Sequence, residues 1–383
     1  MNRPATLAPV AVLGCGVVSP FGLGIEPLLA AIFTGGCGIL PRARTAGFVA
    51  PTAVAAEFPP DVVAALGGGD DLAFTAAMAA AESALAAGGI GRDRAERARV
   101  DFVLASTKGD LRGVLTDQPG TGLGLPARLA SRLAAALGLG RCLGAVSCAC
   151  ASGLVALAAA ARQLHFAAGE RVLVVGVDVL HPFVMAGFGS LHALDPAVCR
   201  PFDAARRGVS LGEAAAAVLL APAAAAPTAP RLLGHGGAND ACHVTGPDRQ
   251  GAGLGLATAR AIAAAGLTPA DIDLVHLHGT ATMANDATEA IGLCEVFGGR
   301  TPAAFGTKGQ TGHTLGASGV LELIITLAAL QRAAAPANVG LATPDVAPGL
   351  DLVRTPRRLL RARHAVKVAS GFGGVQAATV VSL

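Results

Sequence analysis

Short β-branched runs alternate with Ala- and Leu-rich segments along most of the chain, and this alternation constrains the fold more than any other feature. Residues 10–13, 102–106, 172–177, 274–277 and 366–369 read as strands, with helical segments between them. Strands separated by helical lengths build a parallel or mixed sheet covered by helices on both faces, an α/β fold. At 383 residues the chain exceeds one ordinary core, which implies two packed domains or one doubled domain. Residues 221–230, APAAAAPTAP, lack periodicity and charge and are broken at Pro222 and Pro227, so the boundary is expected there. The halves are residues 1–225 and 226–383, though the letters show no strong self-similarity.

Composition removes several classes. Hydrophobic residues make up 52% and charged residues 14%, which excludes a disordered chain. The apolar stretch 143–161 is interrupted by Ser147, Cys148, Cys150 and Gly153, and reads as a buried central helix rather than a membrane span. No secretion signal is evident at the N-terminus. Eight Cys are scattered without a C-x-x-C pair, so a reduced, cytoplasmic protein without a metal motif is expected. A formal charge of +3 and the absence of Trp and Tyr argue against nucleic-acid binding.

In open α/β sheets, ligands sit beyond the carboxyl ends of strands, so the strand-to-helix turns are where chemistry is sought. The run AVSCACASGLVALAAAA begins as a strand and turns helical after Cys150. A thiol at a helix N-terminus is expected to have a lowered pKa, and the unpaired N–H groups there offer half an oxyanion hole. The competing reading is a small buried hydrophobe, which suffices for Cys148. For Cys150 that reading weakens if partner side chains converge on it.

Two further turns supply partners. In VHLHGTATMANDATEA, His278 ends an apolar strand and is followed by Gly279, Thr280 and Thr282, while His276 reads as a packed neighbour. Asn285, Asp286 and Glu289 open the next helix, where a polar cap and early acids are expected in any case. In FGTKGQTGHTLGASGVLELIITLAAL, Lys308 and His313 lie in a Gly-punctuated loop and Glu322 sits in an apolar helix. A carboxylate buried between Leu321 and Leu323 needs a partner, with Lys308 or a histidine network the expected one, while an ordinary solvent-facing Glu is the competing reading.

Taken in order, these residues resemble the β-ketoacyl synthase family of fatty-acid and polyketide assembly. The motifs are VLGCGVVSPFG at 12–22, ACASG around Cys150, RPFDAARRGVSLGEA at 200–214, HGTATMAND at 278–286, TKGQTGHTLGASGVLE at 307–322 and GFGG at 371–374. Each is weak alone; the ordered set is specific. The resemblance implies a thiolase fold, layered α/β/α/β/α with two similar halves, the first carrying the Cys and the second the two His. It implies an elongating, Cys-His-His enzyme in which Cys150 accepts an acyl group from carrier-protein phosphopantetheine, a malonyl thioester binds, and its decarboxylation gives an enolate that attacks the acyl-enzyme. His278 and His313 would stabilise the enolate. Lys308 and Glu322 would position His313, with Asp286 in the same network, and Thr280 and Thr282 would meet the pantetheine arm. Phe372 resembles the gate and, with Cys150, would furnish the oxyanion-hole N–H groups. Gly373 and Gly374 complete that loop as substrate-binding residues.

The sequence departs from the family pattern at Ala281, Ala214 and Gln376. It also departs at Ala369 and Ser370, where one bulky aromatic of the gate approach is missing. No cofactor is expected beyond the phosphopantetheine carried by an acyl carrier protein. That acidic partner would meet Arg206 and Arg207, or basic residues such as Arg128, Arg132 and the cluster 354–363. A homodimer is implied, or a heterodimer with a chain-length-factor-like subunit. A degradative thiolase would need a second Cys near the C-terminus, whereas the last is Cys294, and a non-catalytic partner would lack Cys150.

Overall fold

The computed structural model describes residues 8–69, 71–111, 125–166 and 170–383. Its first half contains β1 (Val10–Ser19), α1 (Leu72–Ala87), β2 (Val100–Ala105), α2 (Pro126–Leu137), β3 (Cys142–Val146), α3 (Ser152–Phe166), β4 (Arg171–Asp178), α4 (Pro182–Ser190) and β5 (Ala214–Pro222). The second contains β6 (Arg231–Asn239), α5 (Ala252–Ala264), β7 (Leu274–His276), α6 (Met283–Val296), β8 (Ala303–Phe305), α7 (Lys308–Thr311), α8 (Ser318–Gln331), β9 (His364–Gly371) and β10 (Val375–Ser382). The stretch 143–161 is therefore not one buried helix. It divides into the strand β3, with Cys142 and Leu143 exposed, and the largely buried α3. Among the described residues no helix is long and apolar enough to cross a membrane.

The two halves repeat one topology. The strands run β3-β2-β4-β5-β1 in the first and β8-β7-β9-β10-β6 in the second, the same order counted within each half. The directions match too: β2 is parallel to β3 and β4, and β5 antiparallel to β4 and β1. Likewise β7 is parallel to β8 and β9, and β10 antiparallel to β9 and β6. The halves join where Val10 and Ala11 of β1 pair with Leu232 and Arg231 of β6.

Both faces of each sheet are covered, which is why the central strands read as unbroken apolar runs. Val172 and Val174 point into the core between the sheets, and Leu173 and Val175 into the core under α1 and α2. In β9, Ala365 and Ala369 face the middle while Val366 and Val368 pack beneath α5 and α6. The layers are thus helix, sheet, helix, sheet, helix, with α3 and α8 in the middle. Residues Ser318 to Leu330 of α8 are all buried, so Glu322 has no route to solvent.

Small residues set the layer spacing. A Cβ on Gly16 of β1 would lie 2.0 Å from Ala80 O of α1, and one on Gly236 of β6 would lie 1.9 Å from Ala257 O of α5. The same glycine contact recurs in both halves and brings each outer helix down onto its sheet. Gly153 of α3 and Gly319 of α8 do the same for the middle layer, where a Cβ on Gly153 would sit 2.7 Å from Gly319 Cα. Because these contacts are with backbone, an added methyl cannot be absorbed by a rotamer change. Gly236→Ala is expected to destabilise the protein by about 1–3 kcal/mol in urea unfolding. Gly91→Ala, whose Cβ meets nothing within 4 Å, should stay within about 0.5 kcal/mol of wild type.

Candidate active site

Cys150 stands in a sharp elbow between β3 and α3. Ala149 takes a left-handed φ of 48°, a strained conformation for a residue with a Cβ. Ser152 holds the bend, its Oγ accepting from Cys148 N–H (2.8 Å) and donating to Ala149 O (2.6 Å). The β9–β10 turn packs directly on this elbow, since a Cβ on Gly371 would lie 2.8 Å from Cys148 O.

His313 reaches the thiol from the second half: its Nε2 lies 2.8 Å from Cys150 Sγ, and its Nδ1 lies 3.2 Å from Ser318 Oγ. Its backbone is fixed by His313 N–H donating to Ser210 O (2.7 Å) and Gly212 N–H donating to His313 O (3.0 Å). His278 follows β7, its ring at 87° to that of His313 with centroids 5.5 Å apart. All three residues line one pocket of about 370 Å³, together with Thr280, Thr282, Asn285, Phe372 and Gly374.

Burial determines the resting charge of the site. It pushes the Cys150 thiol up to about 12, with the Lys308 charge working against it and Asp178 and Glu322 adding to it. The thiol lowered by the N-terminus of α3, expected from the sequence, is therefore reversed: desolvation outweighs the helix end. Burial and then Lys308 hold His278 and His313 well below the usual imidazole range. A neutral thiol and two neutral rings face the pocket.

Behind His278 lies a buried ionic frame. Lys308 Nζ donates to His278 O (2.6 Å) and to Glu322 Oε1 (2.6 Å). Lys367 Nζ donates to Leu277 O (2.9 Å) and Val368 O (2.7 Å), and pairs with Glu322 Oε2 at 2.7 Å. On the opposite side of the same segment, Glu289 accepts from the N–H groups of His278 (2.5 Å) and Gly279 (2.8 Å). Lys308 and Glu322 thus hold the backbone of His278, not the ring of His313 as expected; Ser318 has the latter contact.

Other expectations are corrected in the same way. Asp286 is fully buried and accepts from Phe202 N–H (2.7 Å), Thr280 N–H (3.1 Å) and Ala281 N–H (3.1 Å). It shapes the Thr280–Thr282 turn rather than facing a substrate, and burial raises its carboxyl to about 6. Ala281, at a family glycine position, carries a φ of 66°. Gly373 is a tether, its N–H donating to Val244 O (2.7 Å) and its carbonyl accepting from Asn239 Nδ2 (3.0 Å). Arg206 is buried, bonded to Asp203 O (2.8 Å) and facing Asp345 and Asp286, so it is no docking residue. Arg207 is exposed and lines the pocket.

Phe372 is 38% exposed and stacks on Phe188 of α4, centroids 5.9 Å apart. Ser370, at the missing aromatic, donates to Gln376 Oε1 (2.7 Å), and Gln376 Nε2 donates to Asp240 Oδ2 (2.8 Å). The unusual Ser370 and Gln376 therefore answer each other across the hairpin. Lys367 belongs to none of the chain's motifs. The signal was present, because a lysine between Val366 and Val368 in an apolar strand needs a buried partner as much as Glu322 does.

Two family models match the chain: the β-ketoacyl synthase N-terminal domain over residues 70–226 and its C-terminal domain over residues 231–342. The fold and site define a thiolase-fold protein, and the chain belongs to the β-ketoacyl synthase family. The 3-oxoacyl-[acyl-carrier-protein] synthase 2 of Coxiella burnetii is 28% identical, covering 97% of this chain and 98% of the relative. The protein of that name from Mycobacterium tuberculosis is 36% identical over 59% of this chain, and the match spans 57% of the mycobacterial relative's length. Among solved structures, the ishigamide ketosynthase/chain length factor superposes with a TM-score of 0.87 at 27% identity, covering 98% of this chain and 99% of that one. A β-ketoacyl synthase from Burkholderia phymatum gives 0.87 at 25% with the same coverage.

With the thiol raised to about 12, the thiolate fraction grows about tenfold per pH unit below that value. Alkylation of Cys150 by iodoacetamide is therefore expected to keep rising beyond pH ~9, followed by peptide mass spectrometry. A plateau near pH ~7 would show that the helix end prevails over burial.

Proposed function

We propose that this chain is a β-ketoacyl synthase that condenses an acyl thioester on Cys150 with malonyl-acyl carrier protein in fatty-acid or polyketide assembly. The observation that carries this reading is the 2.8 Å contact between Cys150 Sγ and His313 Nε2, made in a pocket that His278 also lines. The first half supplies the nucleophile and the second both imidazoles, so neither half can perform the chemistry alone.

In the first stage, Cys150 Sγ attacks the acyl carbonyl carbon as its proton passes to the neutral His313 Nε2. Collapse of the tetrahedral adduct expels the pantetheine thiolate, which takes that proton back. The N–H groups of Cys150 and Phe372 are the donors we assign to the oxyanion. In the second stage, malonyl thioester loses carbon dioxide, and the electron pair of the broken bond passes to C2 and the thioester oxygen. After acylation His313 re-equilibrates to its Nε2–H tautomer, with Nδ1 accepting from Ser318, so that His278 and His313 each present one N–H to stabilise that oxygen. C2 then attacks the acyl carbon, and Cys150 leaves as thiolate and takes one proton from water. Thr280 and Thr282, whose hydroxyls lie 3.0 Å apart on the pocket wall, are placed to meet a pantetheine amide. The phosphopantetheine arrives on the carrier protein and no resident cofactor is required. Arg207, exposed beside the pocket, is the charge we assign to carrier docking. A reducing, cytoplasmic setting belongs to the same reading.

A homodimer is the assembly of this reading, and a heterodimer with a chain-length-factor-like subunit is its alternative. The ketosynthase/chain length factor structure shares the whole fold at 27% identity. The exposed edge strand β3 offers unpaired backbone to either partner. A purely structural role is disfavoured because thiol and imidazole are both in place.

Intact-protein mass spectrometry tests the reading. Wild type incubated with acyl carrier proteins bearing several acyl groups is expected to gain acyl mass, lost again on adding malonyl carrier protein with release of a β-ketoacyl product. Cys150→Ala should gain none. His313→Ala should load about 10²-fold more slowly at neutral pH, and the deficit should shrink as rising pH supplies thiolate without the base. Failure of wild type to load alone, with loading restored by a co-expressed partner, would establish the heterodimer.

A further inference from the structure

We infer that Lys367 is a positioning residue of this site, the second half of an ammonium clamp that fixes the His278 peptide. The inference rests on the synthase reading above and adds a residue that no motif of the chain contains. Three observations support it. Successive carbonyls, Leu277 O and His278 O, are each held by a different lysine, Lys367 and Lys308. Both ammonium groups rest on one carboxylate, Lys308 on Glu322 Oε1 and Lys367 on Glu322 Oε2. All three side chains are buried, at 0%, 0% and 2% exposure.

The arrangement explains why one lysine is insufficient. Lys308 divides its ammonium between Glu322 and the His278 carbonyl. A carboxylate with one oxygen unpaired in an apolar interior draws the nearest cation more strongly. Lys367 satisfies that second oxygen and leaves Lys308 free to hold His278. Because Lys367 sits on β9, opposite His276 of β7, it also ties the strand bearing His278 to the neighbour that leads into the Phe372 turn. The charged and titratable groups around Lys367 are Glu322 of α8, Lys308 of α7, Glu289 of α6 and His276 and His278 on the β7 segment. Burial lowers Lys367 to about 8, with Lys308 adding to the shift and Glu322 and Glu289 opposing it. Burial raises Glu289 to about 7. Lys367 is also among the charges that depress both His278 and His313.

The test separates the two half-reactions. In Lys367→Met, decarboxylation of malonyl thioester is expected to fall by about tenfold or more, as for a displaced catalytic group, while acylation of Cys150 stays within about threefold of wild type. In the same variant, NMR titration of labelled histidine should move the protonation midpoints of His278 and His313 upward, because a cation has been removed. Wild type gives a second measurement should the variant not fold. Its decarboxylation should decline above pH ~8 as Lys367 loses its proton, while Cys150 acylation continues to rise. Equal losses in both half-reactions with unmoved histidine titrations, or wild-type decarboxylation that does not decline to pH ~9.5, would overturn the inference. If wild type loads no acyl group even with a co-expressed partner, the synthase reading fails, and the histidine titration still decides the role of Lys367.

Discussion

The backbone contact between Gly153 and Gly319 governs the site. Cys150 stands two residues before α3 and His313 five residues before α8, so the thiol and its base are both carried at the leading ends of the two central helices. The crossing of those helices at van der Waals distance sets how near the two side chains come. A side chain at either glycine would push the halves apart, and a shift of one ångström at the sulfur-imidazole contact is enough to remove a proton path. The packing of the middle layer is therefore also the geometry of catalysis.

Around that crossing the protein holds its reacting groups uncharged and backs them with buried lysine–glutamate pairs. Cys150, His278 and His313 lie in a desolvated pocket that disfavours thiolate and imidazolium alike. Lys308, Lys367, Glu322 and Glu289 are buried just behind it, and each is costly there unless paired. Their pairing converts that cost into rigidity, because any movement of the His278 peptide would leave a carbonyl, an N–H or a charge without a partner. Neutral imidazoles matter for the enolate, which is better stabilised by fixed N–H donors than by groups that must first exchange a proton.

The repeated halves add a structural consequence. Gly14 and Gly16 of β1 meet Ala84 and Ala80 as Gly234 and Gly236 of β6 meet Ala261 and Ala257. Those two G-x-G runs, with alanines spaced along the covering helix, are the trace of repetition in a sequence otherwise without evident self-similarity. Hydrophobic periodicity does not reveal them, because a small-residue contact leaves almost no signature in it.

What the chain's letters determined was local. Strands ending in Gly-flanked turns marked Cys150, His278 and His313, since a side chain at such a turn is bound to face a crevice, and unbroken apolar runs implied sheets covered twice. Burial and long-range pairing were decided only by the fold. Arg206 reads as a surface cation until Asp286 and Asp345 close around it. Asp286 reads as a site residue until its carboxylate is found holding a turn, and Cys150 reads as an activated thiol until its desolvation is known. Lys367 and Glu322 lie 45 positions apart in the numbering, and nothing local to either names the other. Desolvation and charge pairing depend on which groups meet across the core, and that meeting exists only once both sheets have closed on α3 and α8.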